Sequence, residues 1–331
     1  MKQPKFWQQK NLWSFLLLPF SLIYYLIISL RSFCYRSKIF RTRKFPVPVI
    51  VVGNITVGGV GKTPLVIWLI DFLRQHSFNP GVVSRGYCGR LNKRAILVTE
   101  DSNAYDVGDE PLMIVKRTAC KMVISQNRCL AVKTLLAAAS DCDIVISDDG
   151  LQHYALGRDI EIAVIDSGRL FGNGYLLPAG PLREPVKKLQ SVGFVVENFG
   201  ENKREASNGK YAMWFNTLFL QNLKNKEQKK DVTDFVGVSK IHAVAGVGNP
   251  QKFFNFLRKS GLRFEEHIFP DHYFYKPQDL SFGDDAIVIM TEKDAVKCRQ
   301  LANDNFWFLR ISAELEKRFG DDLLELLHRL G

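Results

Sequence analysis

Short apolar segments and longer amphipathic segments alternate along most of the chain. Runs rich in Val and Ile, typical of strands buried on both faces of a sheet, occupy residues 49–53, 81–84, 121–125, 143–147, 161–165 and 194–197. Helical periodicity follows several of them, at residues 63–76, 108–117 and 128–140. After residue 235 the alternation resumes, with strands predicted at 241–245, 286–291 and 306–311 and helices at 251–259, 294–303 and 313–330. Such alternation predicts an α/β fold with a parallel sheet covered by helices on both faces.

The pattern changes between residues 201 and 234. Two charged polar runs, 201–210 and 224–231, flank one apolar piece there, and we interpret the stretch as a linker containing one or two strands. A chain of 331 residues is long enough for two domains. We therefore expect an amino-terminal segment at 1–44, a parallel-sheet domain at 45–200, the linker at 201–234 and a smaller α/β domain at 235–331.

Twenty uncharged residues, 11–30, precede the first predicted strand. About 20 apolar residues suffice to cross a hydrocarbon core of ~30 Å, so this segment predicts a membrane helix. A cleavable signal peptide and a buried core helix are the alternatives, but basic residues follow the segment instead of a small-residue cleavage site. Six basic residues lie after it, up to Lys44, and three before it, which predicts that the rest of the chain faces the cytoplasm. Pro19, Ser14 and Ser21 leave open a helix that lies in one leaflet.

The net charge of +11 indicates an anionic partner, whether nucleic acid, anionic lipid or a phosphorylated substrate. No zinc-finger, RRM or basic-aromatic helix pattern is present in the sequence, which disfavours nucleic acid. The six cysteines form neither a CxxC pair nor a metal-ligand spacing, so we interpret them as buried thiols in a reducing compartment. We expect an anionic membrane surface as a partner, and no obligate protein partner is evident from the sequence.

The segment that joins the first predicted strand to the first predicted helix is rich in glycine. It reads Gly-Asn-Ile-Thr-Val-Gly-Gly-Val-Gly-Lys-Thr-Pro from Gly53 to Pro64. In a phosphate-binding loop, glycines turn successive N–H groups toward one anion, a lysine reaches the outer phosphates and a hydroxyl contacts Mg²⁺. Lys62 and Thr63 stand in those positions at a helix start, although the strict pattern has glycine in place of Thr56. A plain glycine-rich turn would not explain the Lys-Thr pair. We therefore expect a P-loop NTPase-like domain whose nucleotide-binding residues are Thr56, Gly58, Gly59, Val60, Gly61, Lys62 and Thr63.

Two adjacent carboxylates, Asp148 and Asp149, follow the apolar run at residues 143–147. The carboxyl end of a buried strand is where P-loop enzymes keep the acid that holds Mg²⁺. Asp-Asp-Gly is also turn chemistry, but with a phosphate loop upstream we favour a metal site formed by Asp148, Asp149 and Thr63. Gln152 and His153 follow on the same rim.

Other candidate residues carry less specific signals. Asp109 begins a predicted helix, where acids are common caps, and His272 is a lone histidine of the kind that usually packs or hydrogen-bonds. Arg85 and Arg183 lie in loops rich in Gly or Pro and would suit phosphate, although a surface salt bridge explains each of them equally well.

The dipeptide Lys293-Asp294 bears on the choice of nucleotide. The guanine-specific motif of GTPases is Lys-x-Asp, whereas here the two residues are adjacent. We therefore expect ATP rather than GTP.

Taken together, these motifs resemble the tetraacyldisaccharide 4'-kinase family of lipid A biosynthesis. The resemblance extends over nearly the whole chain, through the segments 53–64, 84–87, 108–111, 148–153, 177–185, 245–250, 271–273 and 291–297. The family's loop resembles this one at Thr56, so that position is no departure. The order and number of the motifs make the resemblance far more specific than the phosphate loop alone.

The resemblance implies an inner-membrane kinase, facing the cytoplasm, that transfers the γ-phosphate of ATP to the 4'-hydroxyl of a lipid A disaccharide 1-phosphate. It implies Asp109 as the base, paired with His272. Lys62 and Thr63 would hold phosphate and Mg²⁺, with Asp148 and Asp149 beside the metal. The resemblance also implies six residues near the substrate or the nucleotide, which are Arg85, Tyr87, Gln152, His153, Arg183 and Glu184.

A four-chain lipid leaves the bilayer at high cost, since each exposed CH₂ costs ~0.8 kcal/mol, which fits an enzyme with an apolar segment at 11–30. Two alternatives stay open from the sequence. The first is a membrane-associated P-loop ATPase of the positioning kind, whose loop carries a lysine where this chain has Val57. The second is a nucleotide-regulated membrane adaptor, which would bind ATP without needing a base.

Overall fold

The structure of the protein is a computed structural model that describes residues 4–86, 94–207, 209–283 and 286–330. The strands are β1 (Val49–Gly53), β2 (Pro80–Ser84), β3 (Ile96–Val98), β4 (Met122–Ile124), β5 (Ile144–Asp148), β6 (Ile160–Asp166), β7 (Phe194–Asn198), β8 (Tyr211–Asn222), β9 (Lys229–Lys230), β10 (Ile241–Ala245), β11 (Glu265–Ile268), β12 (Ile287–Thr291) and β13 (Phe306–Leu315). The α-helices are α1 (Leu12–Leu16), α2 (Leu18–Arg36), α3 (Lys62–Gln75), α4 (Ala104–Val107), α5 (Asp109–Thr118), α6 (Arg128–Ala138), α7 (Pro250–Lys259), α8 (Glu292–Cys298) and α9 (Lys317–His328).

Within these residues the strands form one sheet in the order β11-β10-β12-β13-β8-β7-β6-β1-β5-β2-β4-β3, with β9 beside β8. From β8 to β4 neighbouring strands are parallel, as they are from β11 to β13. The two parallel groups meet at the antiparallel pair β8 and β13. The predicted parallel α/β sheet is therefore confirmed, and β8, which lies in the predicted linker, is one of its central strands.

This antiparallel pair turns the carboxyl ends of the two parallel groups toward each other. β7 ends beside the start of β8, where Asn198 is paired with Met213. β12 ends at Thr291, beside Leu309, which is itself paired with Leu220. The carboxyl end of β7 therefore lies at the height of residue 213 of β8, and that of β12 at the height of residue 220. These seven residues of β8 separate the two carboxyl ends by about 23 Å along the strand, at ~3.3 Å per residue. Because ligands bind outside the carboxyl ends of strands in open α/β sheets, the loops of both groups open on one shared cleft.

Burial of the central strands explains their sequences. Every residue of β1 and β5 is buried, which is why these segments are nearly unbroken apolar runs rather than alternating ones. One face of the first group packs on α3, α5 and α9, and the other face packs on α6. Phe254 and Leu257 of α7 lie in a core of the second group. Strands covered on both faces hold the loops after β1 and β5 in fixed positions.

The last helix, α9, returns to the first parallel group. Phe319 and Leu323 are fully buried in the same core as α3. Gly320 approaches Phe72 of α3 so closely that a Cβ there would lie 2.8 Å from the ring. Residues from 317 onward therefore pack on the first group although the sequence-based division assigns them to the second domain, and that division stays a proposal.

Two predicted helices differ from the structure at their ends. The segment 313–330 is not helical throughout, because β13 continues to Leu315 and pairs there with β8, a long-range contact that helical periodicity does not reveal. The helix predicted at 294–303 is α8, which begins at Glu292 and ends at Cys298. Its earlier start follows from Thr291, whose hydroxyl accepts a hydrogen bond from the Asp294 N–H and caps the helix.

The apolar segment near the amino terminus folds as two consecutive helices, α1 and α2. Pro19 lies in the first turn of α2, where a proline fits because no helical N–H bond is lost there. By length and composition α2 could cross a membrane, and only 6% of its most apolar stretch is buried in the protein. It is therefore not a core helix.

Candidate active site

The glycine-rich loop between β1 and α3 adopts turns that its glycines permit. Gly58 and Gly61 have φ values of 101° and 95°, in the left-handed region that residues with a Cβ avoid. The Asn54 side-chain amide donates to the carbonyl oxygen of Thr56 at 2.7 Å and so braces the loop from within. Open space adjoins Gly59, which leaves room for a ligand against the backbone.

Helix α3 begins at Lys62, directly after this loop. In the described part of the chain no side chain caps its first N–H groups, so they remain available to an anion, together with the positive end of the helix. Nζ of Lys62 lies 3.3 Å from Oδ1 of Asp149 and 3.3 Å from Oδ1 of Asn54. The structure thus brings the predicted lysine and the predicted acid pair together beside the loop, with Thr63 one residue further along α3.

Asp148 is the last residue of β5, the strand beside β1. Val52 of β1 is paired with Asp148, so the acid pair and the phosphate loop share one edge of the sheet. The Ser84 hydroxyl donates to Oδ2 of Asp148 at 3.2 Å, whereas Oδ1 has no hydrogen-bond partner among the described residues. Burial, followed by the charges of Glu110 and Asp149, raises the pKa of Asp148 to about 7. A buried carboxylate oxygen without a donor fits a metal ion.

Asp149 differs from its neighbour because cations surround it. Its carboxylate contacts Lys62 through Oδ1 and Arg183 through Oδ2, with NH1 of Arg183 at 3.3 Å. Burial alone would raise the pKa of Asp149, but Lys62 and Arg183 outweigh burial and lower it. Asp149 is therefore ionised at neutral pH, while Asp148 titrates near neutrality.

The loop that carries Arg183 is hydrogen-bonded to the phosphate loop. The Arg183 N–H donates to the carbonyl oxygen of Ile55 at 2.7 Å, and the Val57 N–H donates to that of Pro181 at 2.8 Å. These backbone bonds fix the base of the Arg183 side chain, which then reaches Asp149. Arg183 therefore belongs to the same site as the phosphate loop.

Gln152, His153 and Glu184 lie beside this site with their own protein contacts. Nε2 of Gln152 donates to the carbonyl oxygen of Asn54 at 2.9 Å, which connects the segment after the acid pair to the phosphate loop. Burial, followed by nearby arginines, lowers the pKa of His153 to about 4, so its ring is neutral. Glu184 accepts hydrogen bonds from the Tyr154 hydroxyl at 2.7 and 2.9 Å.

Asp109 and His272 meet across the cleft. Asp109 is the first residue of α5, in the first parallel group, and His272 lies in the loop after β11, in the second. Nδ1 of His272 lies 3.0 and 2.9 Å from the two carboxylate oxygens of Asp109. The two residues are 163 positions apart in the chain, so local sequence patterns give no sign of the contact.

Two lysines of α8 adjoin Asp109. Nζ of Lys293 lies 3.9 Å from Oδ2 of Asp109 and 3.0 Å from Oε1 of Glu110, and Nζ of Lys297 is also 3.9 Å from Asp109. Burial would raise the pKa of Asp109, but the hydrogen bond from His272 and the charges of both lysines outweigh burial and lower it. Asp109 is therefore a buried anion at neutral pH.

Sequence reasoning did not single out the α8 lysines, Glu110 or Arg128 as site residues. Lys293 closely follows the buried strand β12, and a position after a buried strand is the same signal that identified the acid pair. In the sequence analysis, however, Lys293 served only to argue against a guanine nucleotide. Arg128 is buried and donates to the carbonyl oxygen of Asp149, but it begins a helix and carries no comparable signal. Of the other predicted residues, Arg85 follows β2 at the same edge with an exposed side chain, and Tyr87 lies outside the described residues.

A cleft of about 890 Å³ separates the loops of the two parallel groups. Ile67 and Asn198 line it from the first group, and Phe253 and Lys293 line it from the second. Its volume is in the range of pockets that hold small-molecule ligands and cofactors.

These features define a class of protein, a P-loop kinase, in which a phosphate loop and an acid pair on the neighbouring strand lie in the first parallel group and a separate carboxylate–histidine pair joins that group to the second. The model of the tetraacyldisaccharide-1-P 4'-kinase family matches residues 13–328, and the chain belongs to that family.

Individual relatives agree with this assignment along nearly their whole length. The tetraacyldisaccharide 4'-kinase of Methylobacillus flagellatus is 46% identical over 324 residues, which cover 98% of this chain and 95% of the relative. That of Nitrosococcus oceani is 44% identical over 328 residues, covering 98% and 94%. A crystal structure of LpxK from Aquifex aeolicus, described as in complex with ATP, is 31% identical with a TM-score of 0.79, covering 96% of this chain and 98% of that chain. The predicted family and the kinase class are confirmed.

Proposed function

We propose that the chain transfers the γ-phosphate of ATP to the 4'-hydroxyl of a tetraacyldisaccharide 1-phosphate, with Asp109 as the base. The observation that carries the proposal is the Asp109–His272 pair, which joins the two parallel groups of the sheet. A phosphate loop and an acid pair suit any P-loop NTPase. An ionised carboxylate held by a histidine adds the base that transfer to an alcohol acceptor requires.

The acceptor hydroxyl needs a base because its pKa lies far above neutrality. A carboxylate within hydrogen-bond reach that accepts the proton during attack is worth ~10²–10⁴ in rate. As the hydroxyl oxygen bonds to the γ-phosphorus, its proton passes to Asp109 and the bond to the bridging oxygen of ADP breaks. His272 Nδ1–H, donating to Asp109, would orient the carboxylate, and the lysines of α8 keep it ionised in the free enzyme.

The phosphate chain of ATP would bind where cations and N–H groups already converge. Lys62 contacts Asp149 in the structure and would exchange that contact for the outer phosphates. The uncapped N–H groups at the start of α3 and the guanidinium of Arg183 supply further donors, and fixed donors of this kind stabilise the charge of the transferring phosphoryl group.

The residues at the end of β5 fit Mg²⁺. Oδ1 of Asp148 is buried and has no donor among the residues that the structure describes, and hard oxygen ligands are those that Mg²⁺ prefers. We propose Asp148, Asp149 and Thr63 as the residues that hold the ion. When bound, Mg²⁺ would neutralise oxygens of the β- and γ-phosphates.

We also propose that the chain binds the cytoplasmic surface of the inner membrane and that α2 lies in one leaflet. The middle of α2 is fastened to the loops of the site. The Ser21 hydroxyl donates to the carbonyl oxygen of Leu176 and the Tyr24 hydroxyl to that of Arg183, each at 2.9 Å, and Arg31 donates to the loop after β5 at 3.0 Å. Ten residues of helix span ~15 Å, half of a ~30 Å hydrocarbon core. A perpendicular helix would therefore draw these polar loops into lipid.

The opposite side of α2 supports the same placement, because it is apolar and exposed. Its exposed apolar residues are Phe20, Leu22, Ile23, Leu26, Ile27, Leu30 and Phe33. A cysteine introduced at Gln8 should react with an impermeant maleimide only from the cytoplasmic side of inner-membrane vesicles. Reaction from the periplasmic side would contradict the single-leaflet placement.

A phosphate-transfer assay tests the proposed activity directly. Purified chain, γ-labelled ATP, Mg²⁺ and the disaccharide 1-phosphate in mixed micelles should yield a labelled bis-phosphorylated lipid. Lys62→Ala should lower the rate at least ~100-fold, because a key electrostatic contact to the transferring group is worth ~3–4 kcal/mol. Lys133→Ala, on the exposed side of α6, is the matched control. ATP hydrolysis without labelled lipid would favour the ATPase alternative, and ATP binding without turnover the adaptor.

A further inference from the structure

Three potential metal ligands lie together at the edge of the sheet, outside the contacts of the candidate active site described above. They are His242 of β10 and Glu265 and His267 of β11. His242 is paired with Glu265 in the ladder, and His267 follows two residues later, so all three project from one face of the two strands. Nδ1 of His242 lies 2.9 Å from Nε2 of His267, and the Glu265 carboxylate lies 3.7 Å from His242 and 4.0 Å from His267.

The geometry of the cluster matches that of a small coordination sphere. The ligand atoms all lie within 4.8 Å of one another. A tetrahedral zinc ion with ligands at ~2.0–2.1 Å separates neighbouring ligand atoms by about 3.3 Å. Each distance in the cluster is within an ångström of that value, so small side-chain rotations would complete the sphere.

The surroundings hold both imidazoles in place for coordination. The Phe282 ring stacks on His242 at 4.3 Å between centroids and also lies 4.3 Å from the His267 ring. Burial and the adjacent His242 lower the pKa of His267, which favours the neutral ring that binds metals. Two facing ring nitrogens and one carboxylate, with a fourth position open to water, form a set typical of zinc.

We propose that His242, Glu265 and His267 bind one divalent transition-metal ion, with zinc as the preferred ion. The ion would join β11 to β10. β11 has four residues and, among the described strands, pairs only with β10, so a cross-strand metal would fasten a strand at the edge of the described sheet. The loop that carries His272 leaves from this strand.

The test uses untagged, full-length protein in detergent, stripped of metals with a chelator and titrated with Zn²⁺ in competition with a chromogenic zinc chelator. Wild-type protein should take up one Zn²⁺ per chain, and Mg²⁺ should not compete. Glu265→Gln and His267→Gln should each weaken binding by at least ~10–100-fold, the loss typical of disturbing a zinc site. His328→Gln, which changes an exposed histidine of α9, should bind as wild type does.

A second measurement separates a built site from adventitious binding. Zn²⁺ should slow backbone hydrogen exchange in β11 of the wild type and have no such effect in Glu265→Gln. Glu265 is 70% exposed, so this variant is expected to fold normally, which its melting curve without metal would verify. Equal Zn²⁺ affinity of the wild type and both variants, or no Zn²⁺ uptake by the wild type, would overturn the proposal and leave the His242–His267 contact as a plain hydrogen bond.

Discussion

Asp149 and His272 hold left-handed backbone conformations, with φ values of 48° and 61°. Such a conformation costs a residue with a Cβ ~1–3 kcal/mol, and it persists where surrounding contacts over-determine it. Lys62 and Arg183 supply those contacts for Asp149, and Asp109 supplies them for His272. Asp149 and His272 are thus each positioned by their tertiary partners. Substitution of a partner should therefore shift the side chain of Asp149 or His272 as well as change the charge beside it.

Asp109→Asn is expected to abolish most phosphate transfer while ATP affinity stays near the wild-type value. The substitution keeps the size of the side chain but removes the negative charge that accepts the proton, and the side chain acts on the acceptor rather than on the nucleotide. Single-turnover rates and ATP titrations measure the two effects separately. Asp106→Asn, an exposed acid in the preceding helix α4, is the control. A parallel fall in rate and in ATP affinity would place Asp109 in the metal site instead.

His272→Ala is expected to lower the rate less than Asp109→Asn, because the carboxylate remains when its orienting partner is lost. The double variant should then cost much less than the sum of the two single losses, as is usual for residues that act as one unit. A double-mutant cycle on the transfer rate measures this. Additive losses would show that the two residues act independently.

Metal binding should depend on pH through Asp148. Its pKa is raised to about 7 by burial first and then by Glu110 and Asp149, and a metal binds only the ionised carboxylate. A proton therefore competes below pH 7 and not above it. The affinity of the nucleotide-free protein for Mn²⁺, followed by the electron paramagnetic resonance of the free ion, should fall about tenfold per pH unit below neutrality and level off above it.

Glu110→Gln provides the matched variant for this measurement. It removes one of the charges that raise the pKa of Asp148, so the pH at which the affinity levels off should move downward. An affinity that is flat across neutrality in the wild type would exclude Asp148 as a ligand.

At the scale of elements, α1 and α2 are expected to supply the membrane anchor and the basic residues after them only a screened attraction. Deleting residues 1–30 should release more protein from membranes in a high-salt wash, whereas the full chain should stay bound. Any remaining activity should still require detergent or lipid, because the acceptor does. Sedimentation followed by immunoblotting measures retention. Complete release of the intact chain by salt alone would contradict the anchor.

The elements of the first parallel group could be predicted because their signals are local. Val and Ile runs identify β1 and β5 as buried strands. The glycine-rich loop after the first of these runs identified Lys62, and the position directly after the run at 143–147 identified Asp148 and Asp149. Parallel strands place their carboxyl ends at one edge, so the proximity of these residues follows from the pattern alone.

The link between the two groups could not be predicted in the same way. It depends on the antiparallel pairing of β8 with β13, and residues 313–315 at the end of β13 were predicted to be helical. Pairing between segments so far apart depends on contacts that no short window contains. For the same reason the sequence showed Asp109 and His272 only as a helix start and a lone histidine, and their contact came from the family resemblance rather than from their spacing.

At the scale of the whole molecule, α9 should be essential for stability. Phe319 is fully buried between elements of the first core and packs on Trp68 of α3, with 5.6 Å between ring centroids. Phe319→Ala should lower the free energy of unfolding by ~3–5 kcal/mol, the usual cost of deleting a buried aromatic ring. Urea denaturation measures it, with Leu330→Ala, 43% exposed, as the control. Equal denaturation midpoints for Phe319→Ala and wild type would show that the packing of α9 does not contribute to the stability of the first core.

The return of α9 to the first group also sets an order of events during synthesis. The apolar helices α1 and α2, for which we propose a membrane anchor, leave the ribosome before β1, whereas the part of the core around Trp68 and Phe72 is not covered until the residues from 317 onward have emerged. With that anchor, we expect the nascent chain to bind the membrane before the core of the first parallel group is complete. We expect a chain that ends before residue 317 to leave those rings exposed, so completion of the first core depends on completed translation.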